Sequence, residues 1–181
     1  MSEAPSSPDP EFKRALLAQL PALRAFAVSL CGRSDLADDL VQDAILRAWA
    51  NQHTFTLGTN MKAWLFRILR NGFYSRARKA GREISDRDGQ LTERLAVGPG
   101  QYASLAFQDF RRALEALPSD QREAVVLVGA SGFSYEEAAD ICDCAVGTVK
   151  SRVNRARARL RELLTLAEGD MPAPDMPTPA A

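Results

Sequence analysis

Two stretches of this chain carry residue types suited to nucleic acid, and they suit different forms of it. The first is MKAWLFRILRNGFYSRARKA, residues 61–80. Wound at the helical period, Trp64, Arg67, Asn71, Tyr74 and Arg78 share an arc of about 80°. Met61, Leu65, Ile68, Leu69 and Gly72 fall on the opposite, inward side. Aromatic rings stack on unpaired bases, and guanidinium groups hold phosphate or stack as cations. A plainer alternative stands beside this one, in which Trp64 packs on a neighbouring helix and the arginines are solvated. From Arg47 to Arg82 there are eight bases and no acid, which favours single-stranded nucleic acid.

The second stretch is FSYEEAADICDCAVGTVKSRVNRARARLREL, residues 133–163. A short helix, a tight turn and a longer basic helix follow one another at helix-turn-helix spacing. Ala138 is small where the two helices cross, and Gly147 stands just before the second. Val149, Val153, Ala156, Leu160, Leu163 and Leu164 form the core stripe of the second helix. Ser151, Asn154, Arg155 and Ala158 point away from it, flanked by Thr148 and Lys150. In this motif the N-terminal residues of the second helix reach base edges in the major groove. Lys or Arg reads guanine and Asn reads adenine, while Ala158 permits close approach. Arg152, Arg157 and Arg159 lie at the flanks, placed for phosphate or for pairing with Glu136 and Glu137. The bland alternative is a solvated basic face.

A third face differs from both. Over residues 35–50, Ala37, Leu40, Val41, Ala44 and Ala48 point inward, and Asp39, Gln42, Asp43 and Leu46 point outward. A leucine among acids suits a protein partner with basic residues, although an ordinary acidic surface is the commoner meaning of such a face.

The elements that must position these faces are helical. Apolar residues recur at three- and four-residue spacing, without β-branched alternation. The spacing predicts helices near 11–30, 35–50, 60–80, 103–117, 119–130, 134–142 and 146–167. Pro21 should interrupt the first, Ser34 or Asp35 should cap the second, and Gly58 and Asn60 mark the turn before the third. Ser119 and Ser134 are expected N-caps, and Ser134 with Glu137 forms a capping box. Proline-rich tails are expected at 1–10 and 169–181 and a polar linker at 82–102. That leaves an all-α chain of two small domains, 11–81 and 103–168, joined by a flexible linker.

Composition narrows the function. The chain has 181 residues, 46% apolar and 25% charged, with 23 Lys plus Arg against 23 Asp plus Glu. The zero net charge hides a pattern, because six bases and no acid run from Lys150 to Arg161 while the acids cluster at 35–43, 83–93 and 136–143. No apolar run approaches the roughly 20 residues needed to cross a bilayer, and the N-terminus lacks the pattern of a signal peptide. Three cysteines and one histidine argue against a disulfide framework or a zinc site; Cys142 and Cys144 read as small turn residues. The expectation is a cytoplasmic protein with no membrane contact, no metal and no cofactor. Nothing resembles a phosphate loop, a nucleophile–base pair or paired catalytic carboxylates, so the chain reads as a non-enzyme.

WLFRILRN in the first half and EEAADICDCAVGTVKSRVNRARARLREL in the second resemble an extracytoplasmic-function (group IV) sigma factor, and DLADDLVQDAILRAW resembles the region with which that family grips core RNA polymerase. The resemblance covers nearly the whole chain between the tails. The stretches WLFRILRNGFYSRARKAGREISDRDG, LTERLAVGPGQY and LVGASGFSYEEAA are similar to the EcfG subgroup, which directs the general stress response. Members of that subgroup are held inactive by a NepR-type anti-sigma factor, itself sequestered by a PhyR-type response regulator.

The resemblance implies jobs for the faces. The first domain becomes sigma region 2 and the second sigma region 4. Asp39, Gln42, Asp43 and Leu46 would bind the β′ clamp helices of core RNA polymerase. Trp64, Arg67, Arg70, Asn71, Tyr74 and Arg78 would melt the −10 element of promoter DNA and hold its non-template strand. Thr148, Lys150, Ser151, Arg152, Asn154 and Arg155 would read the −35 element as duplex, Thr148 and Arg152 nearer the backbone. Leu117 to Val128 would support region 4 and face the β flap. Gly72 departs from expectation, since a mid-helix glycine costs about 1 kcal/mol relative to alanine. The rival reading is a LuxR-like helix-turn-helix regulator that binds duplex DNA without polymerase; a nucleic-acid enzyme ranks last.

Overall fold

The computed structural model describes residues 10–56, 58–85 and 105–169. Among these there are eight α-helices and no strand. They are α1 (Pro10–Ala18), α2 (Leu20–Cys31), α3 (Ser34–Ala50), α4 (Met61–Ser85), α5 (Leu105–Glu115), α6 (Ser119–Val125), α7 (Tyr135–Cys142) and α8 (Val146–Gly169). The expected tails lie outside the described residues except for Pro10 and Gly169, which end helices. The expected linker begins within α4, and its remainder beyond Ser85 also lies outside.

Local chemistry sets most boundaries. Pro21 stands at the start of α2, where its missing N–H costs nothing, so the first expected helix is two. Gly32 ends α2 at φ +70°, and its N–H donates to the Val28 carbonyl at 2.8 Å. The Asn60 Oδ1 accepts from the Ala63 N–H at 3.1 Å and so starts α4. Ser134 makes the expected capping box: its hydroxyl accepts from the Glu137 N–H at 3.0 Å, and the Glu137 carboxylate accepts from the Ser134 N–H at 2.9 Å.

Three expected boundaries differ. Neither Ser34 nor Asp35 caps α3. Arg33 occupies that position, and the Asp35 carboxylate is taken by the Arg33 guanidinium, which holds it below the usual carboxylate range. Pro118, not Ser119, precedes α6, because its extended backbone makes the entry. Gly147 lies inside α8 rather than before it. The helix begun by α6 also continues as a π turn over Val126–Ala130, closed by the Ser131 N–H on the Val126 carbonyl.

The core departs most from expectation. Leu23, Phe26, Leu40, Leu65 and Leu69 from α2, α3 and α4 share one buried cluster with Leu127, Phe133, Ile141, Val149 and Val153 from the second half. The Phe66 ring stacks on Phe26 (4.7 Å between centroids, 16° between planes) and meets Phe133 edge-on at 5.0 Å. The two halves are therefore packed on one another through apolar surface. A smaller cluster, Ala113, Leu117, Ala156 and Leu160, anchors α5 to α8. No single helix among the described residues is long and apolar enough to cross a membrane.

Candidate nucleic-acid and protein interfaces

The 25 residues of α4 divide into three stripes, one more than the sequence suggests. Met61, Leu65, Leu69 and Gly72 are buried against α2 and α3, as periodicity requires. Lys62, Phe66, Arg70 and Tyr74, spaced every four residues, face the second half of the chain. The Lys62 ammonium donates to the Ser131 carbonyl and lies 4.9 Å from the Phe133 ring centroid. The Arg70 Nε donates to the Glu123 carboxylate at 2.7 Å, and the Tyr74 hydroxyl donates to its other oxygen at 3.2 Å. Glu123 is wholly buried and the Arg70 side chain is 15% exposed. Burial pushes the Glu123 carboxyl above its ordinary range against the pull of Arg70, and pushes the Tyr74 phenol up to about 12.

Arg70 and Tyr74 are thus engaged inside the protein. The outward placement expected for Tyr74 gives way to a half-buried one. Trp64 likewise does not stand free. It is half-buried, tilted against Phe55 at 5.1 Å and edge-on to Phe12 at 6.1 Å, because α1 and the segment after α3 close over that part of α4. Arg67 and Asn71 remain exposed, and Arg78 is exposed while donating to the Ser75 hydroxyl.

The indole nevertheless borders something useful. A cavity of about 300 Å³ is lined by Arg47, Asn51, Thr54, Trp64, Ile68 and Asn71. Trp64 and Ile68 supply apolar wall, while the two amides and the guanidinium supply donors and acceptors. That combination suits one planar heterocycle with polar edges, at the small end of ligand pockets. Arg47, Asn51 and Thr54 escape the sequence reading. They sit at the end of α3 and in the 3-10 turn after it, and only the packing of α3 on α4 brings them to Asn71.

The helix-turn-helix is built as its spacing predicts. Ala138 is fully buried at the crossing, and α7 ends at Asp143 in the left-handed region (φ +52°). Val149, Val153 and Ala156 are fully buried and turn the opposite face of α8 to solvent. On that face Lys150, Asn154 and Arg155 are exposed, and Thr148 and Ser151 are half-buried, the Ser151 hydroxyl donating to the Thr148 carbonyl. The Lys150 ammonium lies 5.7 Å from the Tyr135 ring. Arg152 pairs with Asp120 of α6 at 3.1 Å, and Arg159 with Glu162 at 3.0 Å. Neither pairs with Glu136 or Glu137, because those acids lie on α7 around the capping box and α8 faces α6 there.

On α3, Asp39, Gln42 and Leu46 are exposed, Leu46 at 61%, and Asp43 pairs with Arg76 of α4. Trp49, one turn beyond Leu46, is also exposed and widens the apolar patch. A second apolar feature, absent from the sequence reading, is a groove of about 340 Å³ between α2 and α5, where Val28, Phe107, Phe110 and Leu114 face Arg24 and Arg122. The three cysteines are free thiols, and burial lifts Cys142 to about 12. The described residues hold no group of three side chains able to bind a metal ion.

The Sigma-70 region 2 family matches residues 16–83, and the Sigma-70, region 4 family matches residues 107–160. The chain is 58% identical over 160 residues, 88% of each protein, to the ECF RNA polymerase sigma factor EcfG of Rhodopseudomonas palustris (strain TIE-1). Among solved structures it is similar to the sigma factor RpoE in complex with the anti-sigma factor NepR from Bartonella quintana (61% identity, TM-score 0.78, 86% of this chain and 98% of that one). The fold alone is shared with a chain of the PhyRSL–NepR complex from Sphingomonas sp. Fr1 (19% identity, TM-score 0.64, 94% and 98% covered).

Proposed function

This chain belongs to the extracytoplasmic-function sigma factors, and from that membership we propose how its surfaces divide the work of starting transcription. A sigma factor is a dissociable, non-enzymatic subunit that binds core RNA polymerase and directs it to promoters. Here the exposed α3 face, Asp39, Gln42, Asp43 and Leu46 with Trp49 beside them, engages the β′ clamp helices. Lys150, Ser151, Asn154 and Arg155 of α8 read the −35 duplex, with Thr148 and Arg152 at the backbone. Arg67, Asn71 and Arg78 hold the non-template strand of the −10 element, with Arg70 and Tyr74 joining them when the halves part.

The observation that carries this division is the pairing, in one chain, of an exposed recognition helix with a separate cavity of one-base size beside Trp64. A regulator that binds only duplex DNA has no use for the cavity. In our reading one unpaired base enters it, stacks by Trp64 and is read by Asn71 and Asn51.

Similarity to EcfG, and to the sigma factor RpoE solved with NepR, supports two further assignments: a role in the general stress response and a NepR-type anti-sigma partner, relieved by a PhyR-type regulator. The groove between α2 and α5, with exposed Phe107 and Phe110 above arginines, suits an amphipathic helix bearing carboxylates, and we assign it to that partner. Such a protein works in the cytoplasm.

The test uses a promoter with a fluorescent adenine analogue in the non-template −10 strand, bound by core polymerase and this chain. Asn71→Ala should lose the opening signal at least tenfold while the complex is still retained on the −35 duplex. Opening at the wild-type level would remove the cavity from the account.

A further inference from the structure

The stripe of α4 that faces the second half contains two of the residues proposed to hold DNA. Arg70 and Tyr74 both end on the carboxylate of Glu123, a fully buried residue of α6. The Arg70 guanidinium also lies over the Tyr74 ring, 4.7 Å from its centroid, so the three groups form one closed unit. The buried Cys142 thiol of α7 feels the Glu123 charge, which adds to burial in raising it.

More contacts flank this node on the same side of α4. The Asn60 amide donates to the Glu137 carboxylate at 2.7 Å, Lys62 caps the Ser131 carbonyl, and Phe133 closes on Phe66. The Arg122 guanidinium reaches the Ser29 carbonyl of α2 at 3.4 Å. Every partner in this set comes from the second half of the chain. By contrast, the α3 face and the reading face of α8 stay open in the same arrangement.

We propose that region 4 of this chain is an intramolecular inhibitor of region 2, with the Glu123 carboxylate holding Arg70 and Tyr74 away from a DNA strand until the halves separate. A buried carboxylate is costly without a cation, and a buried guanidinium is costly without an anion, so neither leaves the node alone. Opening therefore requires both halves to be rehydrated at once, and a closed chain binds single-stranded DNA with an affinity reduced by the fraction that is open. Polymerase, which engages the α3 face left free, can bind first and draw the halves apart. No partner protein is needed for the closed state. This inference rests on the assignment of α4 to DNA, and its test separates the two.

The full-length chain and Glu123→Ala are compared without polymerase by small-angle scattering, and by titration of a labelled single-stranded oligonucleotide of random sequence. Circular dichroism reports folding. The expected result is a larger radius of gyration with native helical content, and oligonucleotide affinity raised about tenfold as the open fraction grows. Glu123→Gln keeps the shape of the side chain but loses its charge; it should move both readouts the same way by less, and it decides the matter if the alanine variant loses helix. An unchanged radius and affinity overturn the lock while leaving the sigma assignment intact. A larger radius with unchanged affinity overturns the inhibition, and points to a DNA face elsewhere than Arg70 and Tyr74.

Discussion

Burial divides the polar side chains of α4 into those held inside the protein and those open to solvent. The types Trp, Arg, Asn and Tyr on α4 were legible as chemistry from the sequence; their division was not. Spacing places Arg67 and Tyr74 on one outward arc, yet Arg67 is exposed and Tyr74 is half-buried on Glu123 beside Arg70, because the second half of the chain lies over one of them. The node also titrates in a defined way. Tyr74 and Cys142 are both raised to about 12, from 10.0 and 9.0, chiefly by burial. A raised value means that the folded state favours the protonated form. Their stabilisation is complete below pH about 9 and is lost as pH rises toward 12. Thermal midpoints should therefore be flat up to about pH 9 and fall beyond it, and Tyr74→Phe should make that fall shallower. An alkaline slope unchanged in Tyr74→Phe would show that the phenol is not held as described.

At the scale of elements, the sequence is most informative where one segment does the whole job. The helix-turn-helix is such a case: cap, turn, buried valines and exposed face all lie within residues 134–156, and the structure departs from the spacing only in taking Gly147 into α8 and half-burying Ser151. The cavity beside Trp64 is the opposite case, since its wall comes from three segments whose meeting no local pattern encodes. Caps fail for a related reason, as at Asp35, where an adjacent arginine competes for the carboxylate. Gly72 joins both scales. It is buried where α4 crosses α3, but a β-carbon there would meet Leu40 at 3.5 Å, an ordinary contact. Gly72→Ala should therefore gain up to about 1 kcal/mol of helix propensity. A lower melting temperature would show that the crossing needs the glycine for closeness.

For the whole molecule, the zero net charge is the sum of unlike surfaces rather than a sign of indifference to DNA. Two basic faces, the acidic face of α3 and a buried inter-half pairing contribute to the total with opposite signs. Family and function were legible because several motifs occur in order along the chain. The closed arrangement was not, because it depends on apolar and ionic contacts between halves distant in sequence. Such a chain should bind promoters poorly alone and well with polymerase. Run-off transcription with core polymerase, on fragments carrying paired −35 and −10 elements, tests this most directly. Initiation should require the added chain, and Arg155→Ala should cost about 1–3 kcal/mol of discrimination against altered −35 sequences. No initiation from any such promoter, with tight and specific duplex binding in the absence of core, would contradict it.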